Sequence, residues 1–184
     1  MAINLESLMY RLLAESESNL FGPRDGRYTV RVVVEGVPNP SMRQSADTLT
    51  IVLTPECETG RRGTGEWREW YALYQLGHEI GHVICNPTGH ANNLVEGACC
   101  VNCVDTVARN KFGDRWAVPN IPPNYAHCTY LVLRLLETDP DALKNLRQLR
   151  PNLTQITVDE ILQCVAVTRR LAEMLVKPWS TKNV

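Results

Sequence analysis

Between residues 3 and 17 the apolar positions Leu5, Leu8, Met9, Leu12 and Leu13 fall at i, i+3, i+4, i+7 and i+8, with polar residues behind them. That is the stripe of an amphipathic helix. FGPRDG (21–26) is turn chemistry and ends it. YTVRVVVEG (28–36) is rich in β-branched residues and predicts a strand, and TLTIVLT (48–54) predicts a second. Between them, VPNPSMRQSAD (37–47) carries two prolines and favours a loop over a tight hairpin. The glycine-rich stretch 55–66 reads as a surface loop. A helix then runs from Glu66 to Cys85, stopped by Asn86-Pro87 because the residue before proline resists the α conformation.

The rest of the chain predicts helices only. One spans 94–111 and stops before Gly113, and WAVPNIPPN (116–124) is a proline-rich connection to another over Tyr125–Glu137. Asp139-Pro140 looks like an N-cap followed by proline at the first helical position. A last long helix opens with a capping box, Thr157…Glu160, and shows the stripe Ile161, Val165, Leu171 and Leu175. One helix, two strands, then helices is an α+β order with a small sheet. The expected organisation is a single domain over 1–184: N-terminal helix and strands (1–65), a central helix pair (66–113) and a mostly helical C-terminal portion (114–184).

Composition narrows the field. The chain has 184 residues, and 19 Lys+Arg against 20 Asp+Glu leave a formal charge of −1, so no strong field draws it to nucleic acid or anionic lipid. Apolar runs of about five residues are far too short for a membrane-spanning helix. Glu6 and Arg11 interrupt what a secretory signal would keep apolar, so the default expectation is a soluble, cytoplasmic protein, delivery into another cell being the alternative. The odd count of seven cysteines points to reduced thiols. Cys99, Cys100 and Cys103 are crowded, but CCxxC lacks the second pair of a zinc-binding CxxC…CxxC, which favours small buried side chains over metal ligands.

Candidate chemistry lies in residues 78–82, His-Glu-Ile-Gly-His. Two histidines four apart on a helix aim both imidazoles at one spot and can hold one Zn²⁺. Glu79, one position along, projects beside that spot, where it can take a proton from the attacking water as general base.

The motif resembles the zincin metallopeptidases over residues 66–85, with strand 48–54 a looser match. The resemblance implies a small sheet packed on the HExxH helix, His78 and His82 as zinc ligands, and Glu79 as catalytic base. It also implies a protein or peptide substrate paired in extended form along an edge strand, a role that would fall to 48–54. A histidine six residues beyond the second one would mark the metzincin branch, but Thr88 stands there. Glu96, opening the next helix, matches the gluzincin solution for a third ligand, with His90 and Asp105 as the other candidates. Asp105 is out of phase with Glu96, while Cys99, Cys100 and Cys103 share the Glu96 face and Asn102 and Arg109 point elsewhere.

A second resemblance, to compact bacterial toxin and effector metalloproteases, rests on Glu96 followed by Asp105, Arg109 and Gly113. A third is to repressor-cleaving metallopeptidases, which share HExxH, a glutamate on the next helix and a helical C-terminal portion. An oxyanion-stabilising group could come from His90, Tyr125, His127 or Tyr130. Trp67, Trp70, Tyr71 and Tyr74 recur at helical spacing and read as packing. The leading expectation is a zinc-dependent endopeptidase. The competing one is an inactive zincin scaffold that binds a partner around a structural zinc.

Overall fold

The computed structural model describes residues 3–24, 26–65, 67–85, 90–112 and 121–180. It is α+β, as the order of elements predicts, with eight α-helices and one mixed sheet among the described residues. Helix α1 (Leu5–Ser16) is capped by the Asn4 side chain and buries Met9, Leu12 and Leu13. A π-helical turn, Glu17–Phe21, extends it and buries Phe21. The helical run ends at the FGPRDG turn, as expected, with Gly22 at φ 71°. The carbonyls of Phe21, Gly22 and Pro23 are then gathered by Nη1 of the buried Arg147, which ties the N-terminal third to the C-terminal helices.

The sheet holds β1 (Thr29–Val34), β2 (Ser41–Ser45) and β3 (Thr48–Leu53) in the order β1-β3-β2, β1 parallel and β2 antiparallel to β3. Two expectations change here. The stretch 37–47 is not simply a loop: β2 lies inside it and reaches β3 through a tight turn with Ala46 at φ 50°. The strand at 48–54, expected at the edge, is the central one. Leu49 through Leu53 are all buried, the continuous run of a strand covered on both faces. The edge beside the cleft is β2.

Past the single turn α2 (Glu56–Thr59) comes α3 (Arg68–Cys85), the helix of the HExxH motif, packed against β3, α1 and α4 (Asn93–Val107). Glycines set how closely these helices approach. A Cβ on Gly81 would lie 2.8 Å from Cys99 Cα, and one on Gly77 2.9 Å from Cys103 Cα. On the far side of α4, a Cβ on Gly97 would meet the backbone of Cys128. Each helical glycine costs roughly 1 kcal/mol of propensity against alanine, and the close packing of three helices is what it permits. Cys99 and Cys103 fill the α3–α4 seam as small buried side chains, their thiols pushed up chiefly by burial. Asn102, expected to point away, is fully buried and donates to Gly77 O at 2.7 Å.

Helix α4 ends in a π-helical turn, Ala108–Phe112. It packs on α5 (Pro123–Thr138), which starts slightly before the expected Tyr125. α6 (Ala142–Leu149) starts later than expected: its N-cap is Asp141, not Asp139, and Asp139 and Pro140 belong to the turn before it, where the Asp139 carboxylate accepts from Asp141 N–H. The last long helix is two: α7 (Val158–Cys164), with the capping box intact, and α8 (Arg169–Leu175). Val165 is extended and Thr168 caps α8 through Leu171 N–H, so a β-branched stretch and a second cap break the helix in mid-stripe. Beyond α8 the chain returns to the start of α4: Asn93 N–H donates to Lys177 O and Trp179 N–H to Ala91 O. Among the described residues no helix is long and apolar enough to cross a membrane.

Candidate metal centre

One α-helical turn separates His78 from His82, so both side chains leave the same face of α3. Glu96, in the first turn of α4, meets them across the glycine-tight seam. His78 Nε2 and His82 Nε2 lie 3.3 Å apart, and Glu96 Oε2 is 3.6 Å from the first and 3.8 Å from the second. Three atoms at those spacings share a point about 2.1 Å from each, the bond length of zinc to imidazole nitrogen and carboxylate oxygen. Glu96 Oε2 is also a buried acceptor with no hydrogen-bond partner, although it faces two ring nitrogens. At 3.6 Å these are charge contacts, not hydrogen bonds. A cation among the three atoms is what this arrangement fits.

Asn92 fixes where Glu96 stands. Its side chain caps α4 by accepting from Val95 N–H at 2.9 Å, while its Nδ2 donates to Leu153 O at 2.9 Å. Asn93 donates from Nδ2 to Met174 O. The C-terminal helices therefore clamp the first turn of α4. On the opposite side, Gln75 sits one turn before His78 and ties α3 to the end of β3. Its Oε1 accepts from Thr54 N–H at 2.9 Å and its Nε2 donates to Thr54 Oγ1 at 2.7 Å. Sequence reasoning passed over Gln75, since a glutamine among apolar helix positions carries no signal of a partner 21 residues away.

Burial dominates the electrostatics. It raises the Glu79 carboxyl to about 7, with the charge on His78 opposing and that on Glu96 adding. His82 is pushed down to about 4 by burial and by His78. At His78 burial also pulls downward, but the neighbouring Glu96 and Glu79 outweigh it and the direction is up. Burial lifts Glu96, and the two imidazoles more than reverse this, holding it below the usual carboxylate range. The ring's other nitrogen, His78 Nδ1, faces Cys100 Sγ at 3.8 Å.

The donor atoms open into a cleft of about 580 Å³ that Glu79, His90, Tyr125 and β2 also line. Of the candidates for a third ligand, Glu96 joins the two histidines, and His90 stays at the exposed cleft wall outside the triad. Asp105 is turned away, bonded to Arg109 at 2.8 Å, and Arg109 reaches on to Glu15 of α1 at 2.8 Å. Those two residues thus link α4 to α1, and Gly113 lies outside the described residues. Of the candidate oxyanion stabilisers, Tyr125 packs edge-on against His78 with ring centroids 5.6 Å apart, while His127 and Tyr130 are exposed elsewhere on α5. Tyr74, read as packing, stacks on Trp70 at 4.7 Å and lines the cleft as well.

Comparison with protein-family models, with curated proteins and with solved structures finds no match for the chain. The functional reading therefore stands on the geometry of the site.

Proposed function

We propose that the protein is a zinc-dependent metallopeptidase of the zincin type, cutting a protein substrate internally. The observation that carries this reading is the convergence of His78, His82 and Glu96 donor atoms on one point, inside a cleft that also holds Glu79. His78, His82 and Glu96 would hold the metal. Zinc bound there supplies Lewis acidity to water and to a peptide carbonyl.

The chain's own residues do the rest. Glu79 accepts the proton of the attacking water on its carboxylate and returns it to the departing amine. Its burial, with only 3% of its surface exposed, keeps that proton from bulk solvent. Tyr125, beside His78, is the group favoured to donate a hydrogen bond to the developing oxyanion. The free edge of β2, whose Ser41 and Met42 line the cleft, supports main-chain pairing with an extended substrate.

The test is Glu79→Gln. This variant should keep one zinc per chain and lose peptide hydrolysis by at least about a hundredfold. Wild-type turnover in a folded, zinc-loaded Glu79→Gln protein would remove the mechanism.

A further inference from the structure

We infer that Trp179 and Tyr125 form the wall that reads substrate, and that it selects a large apolar or aromatic side chain next to the scissile bond. This deepens the peptidase reading and rests on it. The two rings are stacked, centroids 4.9 Å apart and planes 21° apart, and Tyr125 in turn stands edge-on to the ring of His78. A side chain laid on this stack is therefore one ring away from the proposed metal ligands. Trp179 reaches this place from the C-terminal end of the chain. Its backbone N–H is bonded to Ala91 O at 3.0 Å, and Pro178 bridges to Asn92, the cap of the Glu96 helix.

The chemistry of the cleft points to the class of side chain. Beyond the triad, Glu79 and His90, its described lining is uncharged, and it includes Met42, Tyr74 and Ala91. The carboxylates among the described lining residues, Glu79 and Glu96, are taken up by the proposed metal chemistry, and no Asp, Lys or Arg is added to them, so a charged side chain on the stack finds no partner of its own. An apolar one gains by leaving water. Because β2 lines the same cleft as the stack, the occupant with this side chain is a polypeptide in extended form. The indole Nε1 is buried without a hydrogen-bond partner, so stacking and the backbone pairing hold the ring.

The experiment uses the blocked peptides Ac-Ala-Ala-Xaa-Ala-Ala-NH₂ with Phe, Leu, Asp or Lys as Xaa. Their binding to zinc-loaded Glu79→Gln protein is measured by calorimetry, and their hydrolysis by wild type is measured by mass spectrometry. The Phe and Leu peptides should bind at least about tenfold more tightly than the Asp and Lys peptides. Adding Trp179→Ala should compress that ratio to about threefold or less, and Trp179→Phe should retain it. Trp179→Arg should turn the preference toward the Asp peptide, a gain that misfolding cannot mimic. Equal binding of all four peptides, or a preference untouched by Trp179→Ala and Trp179→Arg, overturns the wall. Selective binding that depends on Trp179, without cleavage by wild type, upholds the wall and removes the peptidase reading. Cleavage without preference for Xaa does the reverse.

Discussion

The seam between α3 and α4 and the pair α7–α8 are built on opposite plans. The seam depends on partners distant in sequence: Gly81 fits against Cys99, Asn102 donates to Gly77 O, and Glu96 closes on His78 and His82. The pair α7–α8 depends on neighbours. Thr157 and Glu160 cap each other, and Thr168 caps through Leu171 N–H three residues on. Chemistry sits where side chains are constrained from several elements at once, because only such constraints hold donor atoms at bonding distance. Of the locally built pair, α8 supports the site from outside, through Asn93 and the carbonyl of Met174.

Changing one residue in each region exposes the contrast. The largest effect is expected from Gly81→Ala, whose new Cβ would sit 2.8 Å from a backbone atom of α4. The helices must separate, at a cost of about 3 kcal/mol and roughly 10 °C in Tm, with the triad pulled open and zinc affinity reduced. A melt indistinguishable from wild type would mean the seam is looser than drawn. Gln75→Leu comes next. It leaves the buried Thr54 N–H without its acceptor and should cost about 2 kcal/mol in chemical denaturation while zinc still binds, because the donor set is untouched. Loss of zinc in that variant would show that the sheet, and not the seam alone, sets the ligand geometry.

The smallest effects belong to the capped pair. Thr157→Ala should cost about 1 kcal/mol and leave metal binding unchanged. Glu160 is held below the usual carboxylate range by the Thr157 backbone N–H first, and by Arg150. Its folded-state value is depressed, so its contribution is present above the unfolded carboxylate range and fades as pH falls through the folded value. The stability difference between wild type and Glu160→Gln should therefore be full at neutral pH and close in acid. A difference that grows in acid would contradict the cap.

The same contrast explains what was legible in the sequence. HEIGH, the Thr157 capping box and the valine-rich strand are local patterns, and each appears where the pattern puts it. Glu96 was separable from Asp105 by helical phase, and the structure keeps Asp105 with Arg109 instead. By contrast, SMRQS has one large apolar residue and forms an edge strand mostly open to solvent, so no alternation marks β2. Reading 48–54 as an edge failed for a related reason: Thr48, Thr50 and Thr54 lend it the alternation of a half-buried strand, whereas Leu49 through Leu53 are all buried at the centre of the sheet. The break between α7 and α8 lies inside an apolar stripe, with the β-branched Val165, Val167 and Thr168 its local signs. Gly77, Gly81, Asn102, Gln75 and Trp179 owe their roles to partners that folding alone brings near.

The central claim is that His78, His82 and Glu96 hold one zinc ion. Its most direct test is metal content and stoichiometry of the purified protein, wild type beside Glu96→Ala and Asp105→Ala. The prediction is one zinc per chain in wild type and in Asp105→Ala, with Glu96→Ala losing it. Zinc absent from wild type, or retained at full stoichiometry by Glu96→Ala, would contradict the account.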